Sequence, residues 1–142
     1  MSTYMQGALK SGDGFSEVAG KFGTAVFSQT AMIDFDTDLV QEAVFTLPKS
    51  GQLVDIVVDV LTAFNSLTSA TLTVGSASAG TQYAGAVDAK TAGRVRPTFT
   101  AAQLAAMDDI GANTTVYATV TSVGQPTAGS ARVTLLYTGG VA

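Results

Sequence analysis

The sequence predicts an all-β chain: an antiparallel β-sandwich or jelly roll with one short connecting helix and an extended N-terminal arm. Three observations carry that prediction. Apolar and polar residues alternate with period two along most of the chain, most clearly through Leu53–Gly75, LVDIVVDVLTAFNSLTSATLTVG. Clusters of Gly, Pro, Asn, Asp and Ser break the alternation into seven or eight short segments, the spacing of a two-sheet all-β architecture. Only one stretch carries both the start and stop signals of a helix. A chain of 142 residues has the length of one ordinary domain with a sizeable core. We place the arm at 1–21 and the β domain at 22–142.

Residues 1–21, MSTYMQGALKSGDGFSEVAGK, show neither a helical nor a strand period and are punctuated by Gly7, Gly12, Gly14 and Gly20. Tyr4, Met5, Leu9, Phe15 and Val18 give this arm apolar anchors that a solvated tail does not need. Thr24–Ile33 reads as a strand with Ala25, Phe27, Ala31 and Ile33 on one face, followed by an acidic turn at Asp34–Asp38. Glu42–Leu47 is the next strand, stopped by Pro48 and turned at Ser50-Gly51. Leu53–Gly75 then reads as a long hairpin around Asn65-Ser66. Val54, Ile56, Val58 and Val60 share one face of its first strand, with Asp55 and Asp59 on the other. Ala70, Leu72 and Val74 face the core from its second strand.

Thr81–Ala89 is a weak strand interrupted by Gly85, and Thr91-Ala92-Gly93 turns the chain toward a strand at Arg94–Phe99. Thr100-Ala101-Ala102-Gln103 is a capping box, so a short helix starts there, with Leu104, Met107 and Ile110 as its apolar edge and Gly111 as its left-handed stop. In Asn113–Val123, Val116, Ala118 and Val120 share a face, and Tyr117 points the other way. After the loop Gly124–Gly129, Ala131, Val133, Leu135 and Tyr137 alternate with Arg132, Thr134 and Leu136.

Composition excludes several kinds of chemistry. Histidine is absent, which removes the commonest general base and metal ligand and any ordinary Ser-His-Asp triad. Cysteine is absent too, so there is no disulfide, thiolate nucleophile or Cys-based zinc site. A net charge of −4 and an isoelectric point near 4.4 disfavour nucleic-acid binding. No apolar run is long enough for a membrane-spanning helix, and no secretory signal pattern opens the chain. Charged residues make up only 13% of the chain, about half the usual share, while 46% is apolar. Such a surface is expected to be partly covered by other subunits.

Asp34, Asp36 and Asp38 are a weak candidate for a cation site, because alternating carboxylates offer hard oxygen ligands. An EF-hand loop starting at Asp34 would need Gly and Glu where Leu39 and Phe45 stand, so that geometry is excluded. Asp55 and Asp59 are too far apart on one strand to pair tightly, so Asp88 or another strand would have to complete a glycosidase-type carboxylate pair, which nothing in the sequence supports. They read instead as solvent-facing charges that discourage wrong strand pairing. Ser-Lys chemistry with Lys49 or Lys90 has no supporting motif, and the Gly-rich stretches at 11–14 and 75–80 lack the Gly-Lys-Ser/Thr of a phosphate loop. Arg94, Arg96 and Arg132 are candidates for pairing with an acidic surface on a partner. No cofactor is expected.

VLTAFNS at 60–66, ATLTVGSASAG at 70–80 and PTAGSARVTLLY at 126–137 resemble small structural proteins encoded among the head genes of tailed bacteriophages. The likeness runs from about Asp55 to Tyr137. Its best pieces are Thr62-Ala63-Phe64, Leu72-Thr73-Val74-Gly75 and Gly129-Ser130-Ala131-Arg132-Val133. The resemblance implies a non-enzymatic virion protein that decorates or cements the capsid surface, often as a homotrimer, with the major capsid protein and further copies of itself as partners. On that reading Tyr4, Met5, Leu9 and Phe15 make inter-subunit contacts, and Arg94, Arg96 and Arg132 make polar pairings. Neither nucleic acid nor membrane is expected as a partner. The alternative expectation is a host-recognition module of a head fibre or tail that binds a glycan or protein.

Overall fold

A computed structural model describes residues 25–36, 38–112 and 115–139. The arm 1–21, with Tyr4, Met5, Leu9, Phe15 and Val18, lies outside the described residues. Among the described residues eight strands and one helix follow in chain order: β1 (Val26–Asp34), β2 (Val40–Thr46), β3 (Gln52–Thr62), β4 (Ser69–Gly75), β5 (Ala84–Asp88), β6 (Gly93–Val95), α1 (Ala101–Asp108), β7 (Thr115–Val123) and β8 (Ser130–Thr138). They form two antiparallel four-stranded sheets. The first has the order β1-β8-β3-β6 and the second β2-β7-β4-β5.

The period-two patterns explain the layering, because alternate residues of a strand point to opposite faces. Ile33, Ile56, Val58, Val60, Val133 and Leu135 turn inward from the first sheet. Phe45, Leu72, Val74, Val116 and Val120 turn inward from the second, and both sets belong to one buried cluster. Each fully buried aliphatic or aromatic side chain contributes roughly 1.5–3 kcal/mol relative to exposure. The outward residues of β4 and β7 include Thr71, Thr73 and Thr121, in keeping with β-branched polar residues on a half-solvated face, whereas Thr119 is fully buried.

Leu53–Gly75 is not a hairpin. β3 pairs with β8 and β6 in the first sheet, whereas β4 pairs with β7 and β5 in the second. The segment between them arches from sheet to sheet. Phe64, in mid-arch, is fully buried in the core, and the Ser66 hydroxyl donates to the Ser69 carbonyl at 2.7 Å. Phe64 N also donates to the Ala89 carbonyl at 2.9 Å, tying the arch to the end of β5.

Val54 is likewise not in the core. The β3–β8 register slips between Leu53 and Asp55, so Val54 is the extra residue of a bulge. Leu53 takes the inward position instead, and Val54 is exposed. The other predicted strands are recovered with shifted ends. β6 is three residues long, and the strand expected to reach Phe99 stops before Pro97, which has no N–H for a ladder.

Helix α1 starts as expected. Gln103 N donates to Thr100 Oγ1 at 3.2 Å, and Thr100 N donates to Gln103 Oε1 at 2.9 Å. It ends differently. Asp109, just past its end, is extended at φ −151°, and Gly111 takes φ +63° only in the turn that follows. The Asp109 carboxylate accepts from Gly111 N at 2.8 Å and shapes that turn. Met107 and Ile110 are buried, but Leu104 faces outward.

Candidate interaction surfaces

The strand register assembles a charged ladder on the outer face of the first sheet. Asp59 of β3 lies opposite Arg132 of β8 on one side and Arg94 of β6 on the other. Arg94 donates through Nε to Asp59 Oδ1 at 2.8 Å and through Nη2 to Oδ2 at 3.4 Å. Arg132 Nη2 reaches Oδ2 at 3.2 Å. Arg96, one residue past β6, donates through Nη2 to Asp55 Oδ2, while Asp55 Oδ1 accepts from Ile56 N at 2.9 Å.

Asp55 and Asp59 are therefore not solvent-facing. Both lie buried beneath arginines. The three arginines that look scattered in the sequence converge on two aspartates of their own chain. The Arg94 guanidinium holds the Asp59 carboxyl below its ordinary value; desolvation opposes this, and Arg132 adds to the lowering. Asp59 in turn raises Arg94. Opposite charges set directly across strands favour one register, which matters for a strand as short as β6.

The opposite side of the molecule has a different character. β1 ends the first sheet and β2 ends the second. The two edges are stitched together, with Gln29 Nε2 of β1 donating to the Thr46 carbonyl of β2 and to Tyr137 Oη. Exposed large apolar side chains concentrate along this flank: Val26, Phe27 and Met32 on β1, Phe35 and Leu39 in the connection, and Val40 and Val44 on β2. Val26 and Val44 are each 56% exposed. Between residues 25 and 48 the charged residues are Asp34, Asp36, Asp38 and Glu42, with no Lys or Arg.

Edge strands normally carry a device against pairing with another chain, such as Lys, Pro, a bulge or short length. The β5–β6 flank has several: β6 is three residues long and soon followed by Pro97, and the β4–β5 register is broken. β1 has none of these. It runs nine residues in unbroken register with β8 and contains neither Lys nor Pro. Period-two alternation predicted β1 and β2, but only the strand order reveals that both are edges on the same side.

Two shallow clefts of about 330 and 340 Å³ open on the surface. The first lies between the β1–β2 connection and the β7–β8 loop and is lined by Phe35, Asp36, Gln125, Pro126 and Thr127. Asn65 braces that loop, its Oδ1 accepting from Thr127 N at 2.7 Å and from Ala128 N at 3.1 Å. The second lies beside β5 and the Arg96–Gln103 segment.

Asp34, Asp36 and Asp38 are not gathered into a metal-holding group, and among the described residues no three acidic side chains are. Asp34 ends β1, Asp36 lines the first cleft, and the Asp38 carbonyl accepts from the Gln41 side chain. Asp88 is on β5 in the second sheet, away from Asp55 and Asp59 of the first, and it accepts from Lys90 N at 3.0 Å. Among the described residues no helix is long and apolar enough to cross a membrane. Comparison with protein-family models, with curated proteins and with solved structures finds no match to this chain.

Proposed function

We propose that this chain is a non-enzymatic structural protein of a tailed-phage virion that binds the outside of the capsid and stabilises the shell. The major capsid protein and further copies of the chain would be its partners. The observation that carries this reading is the unprotected, apolar β1–β2 flank on a fold whose other flank is blunted. A soluble monomer gains nothing from two adjacent long edges lined with Val, Phe, Met and Leu, whereas a protein that works by contact needs such a surface.

The strand order supports the same reading. Strands pair β1·β8, β2·β7, β3·β6 and β4·β5, like one long hairpin folded at β4–β5. Rolling that hairpin brings β8 onto β3 and β7 onto β4. We read this pairing as a jelly-roll sandwich, an architecture that recurs in viral capsid and lectin domains. The step from fold to role is analogy, and the flank supplies the physical argument.

Purified protein added to undecorated capsids of the particle that carries it should bind in hundreds of copies and raise the heat or pressure at which the shell opens. No binding and no gain in resistance would overturn the proposal. The cleft beside Phe35 favours one alternative, a recognition module of a head fibre or tail, because an exposed ring beside a carboxylate and a carboxamide suits a glycan. Such a module would be present in a few copies per virion.

A further inference from the structure

We infer that copies of this chain join head to tail, the β1–β2 flank of one copy seating on the arginine-bearing β3–β6 face of the next. The inference rests on the self-association within the proposed function, and it names the two surfaces and the sense of the contact.

The flank combines exposed apolar side chains with Asp34, Asp36, Asp38 and Glu42 and has no cation. If two flanks met each other across a twofold axis, carboxylates would face carboxylates in a partly desolvated contact, a costly arrangement. The complementary surface is present on the same chain. Arg94 and Arg96 project from the outer face at β6 with 67% of each side chain exposed, although both are ion-paired. A guanidinium has five N–H donors; Arg94 directs two nitrogens at Asp59, and Arg96 directs one at Asp55. The remaining donors are held in place by those aspartates, so little side-chain entropy is lost when an acidic surface docks. Val54 and Leu61, exposed on β3, supply apolar area nearby.

Position decides the sense of the contact. β1 and β6 are the two opposite ends of the first sheet. A contact between opposite sides of identical copies is heterologous, and it closes into a ring when the rotation between copies allows.

The chain has no native cysteine, so single cysteines report contacts cleanly. Val44→Cys and Leu61→Cys are prepared separately, mixed, and treated with a short bis-maleimide before denaturing gel analysis, with native mass followed by light scattering. The mixture should yield cross-linked dimer that neither variant yields alone. Self-cross-linking by Val44→Cys without mixed product would overturn the inference, as would a monomeric mass up to millimolar concentration. In a second arm, Asp34→Lys with Asp38→Lys should weaken self-association about tenfold, and adding Arg96→Glu should restore much of it. No weakening by the two lysine substitutions would also overturn it. Shell binding is measured on the same samples. A monomeric protein that still decorates shells sinks this inference alone, and an intact ring that ignores shells sinks only the capsid reading.

Discussion

Gly129→Ala should cost about 3 kcal/mol, because it drives a methyl group into the ring that anchors the arch between the two sheets. A Cβ built at Gly129 would lie 2.4 Å from Cδ2, 2.6 Å from Cγ and 2.8 Å from Cε2 of Phe64. Carbon atoms in favourable contact sit about 3.5–4.0 Å apart, so the two groups must separate by roughly 1 Å. Neither can do so cheaply. Phe64 has no exposed surface, and its backbone N is bonded to the Ala89 carbonyl. The Gly129 carbonyl accepts from Phe35 N at 3.0 Å, and the adjoining Thr127–Ala128 is held by Asn65. Overpacking of a core costs about 1–3 kcal/mol, and a side chain at φ +156° adds about 1 kcal/mol or more. Urea unfolding with linear extrapolation measures the loss, and the melting temperature should fall by roughly 10 °C. Phe64→Leu destabilises on its own but removes the clashing edge. The double variant should therefore lose about 1 kcal/mol or more less than the sum of the two single losses. A Gly129→Ala protein within about 0.5 kcal/mol of wild type, or strict additivity, would refute the reasoning.

The charged ladder makes a signed prediction about pH. Asp59 is lowered in the folded state, so the unfolded state takes up its proton first on acidification. The ladder's contribution is complete above the unfolded-state value near 3.9 and drains away as pH falls through the lower folded-state value. The stability gap between wild type and Asp59→Asn should be flat from about pH 5 to 8 and close below about pH 4; a gap that widens on acidification would contradict the pairing. Thr73 Oγ1 is buried without a hydrogen-bond partner, whereas Thr119 Oγ1 accepts from Ala79 N at 2.9 Å and donates to Glu42. Thr73→Val should be neutral or stabilising by about 1 kcal/mol and Thr119→Val destabilising by about 1–2 kcal/mol, read from urea unfolding. Met32→Lys and Val44→Lys, at exposed edge positions, should change stability by less than about 0.5 kcal/mol while reducing self-association in light scattering.

Strand identity was legible because burial on one face writes a period of two into the residues, as in Glu42–Leu47 and Ala131–Tyr137. Helix α1 was legible at its start because a capping box is a local chemical device. The sheet to which a strand belongs is not local. A hairpin turn and an arch between sheets both need a short polar segment, and Ala63–Thr68 satisfies either. The discriminating signal was Phe64, since a large ring at the tip of an exposed hairpin would have nothing to pack against. The bulge at Val54 was hidden because Leu53 and Val54 are both apolar, so either could have been the inward residue. The ladder was missed for a related reason. Asp55 and Asp59 are recognisable as a pair on one strand face, but Arg132 lies 73 residues beyond Asp59 and meets it only through the β3–β8 register.

The pairing of β1 with β8 has a consequence for how the chain is made. Among the described strands β1 and β2 pair only with β8 and β7, whose residues are made after those of the other six. Ser130 follows Val26 by about 100 residues, a delay of roughly 5–20 s at ordinary synthesis rates. Through that interval β1 lacks its described strand partner, and β2 lacks its own until β7 is made; both carry outward apolar residues. Contacts so distant in sequence also slow the closing step after release, toward the millisecond-to-second range of all-β proteins. On a crowded polysome the nearest unpaired edges belong to sister chains, so assembly partners and misfolding hazards are met at the same moment and through the same strands.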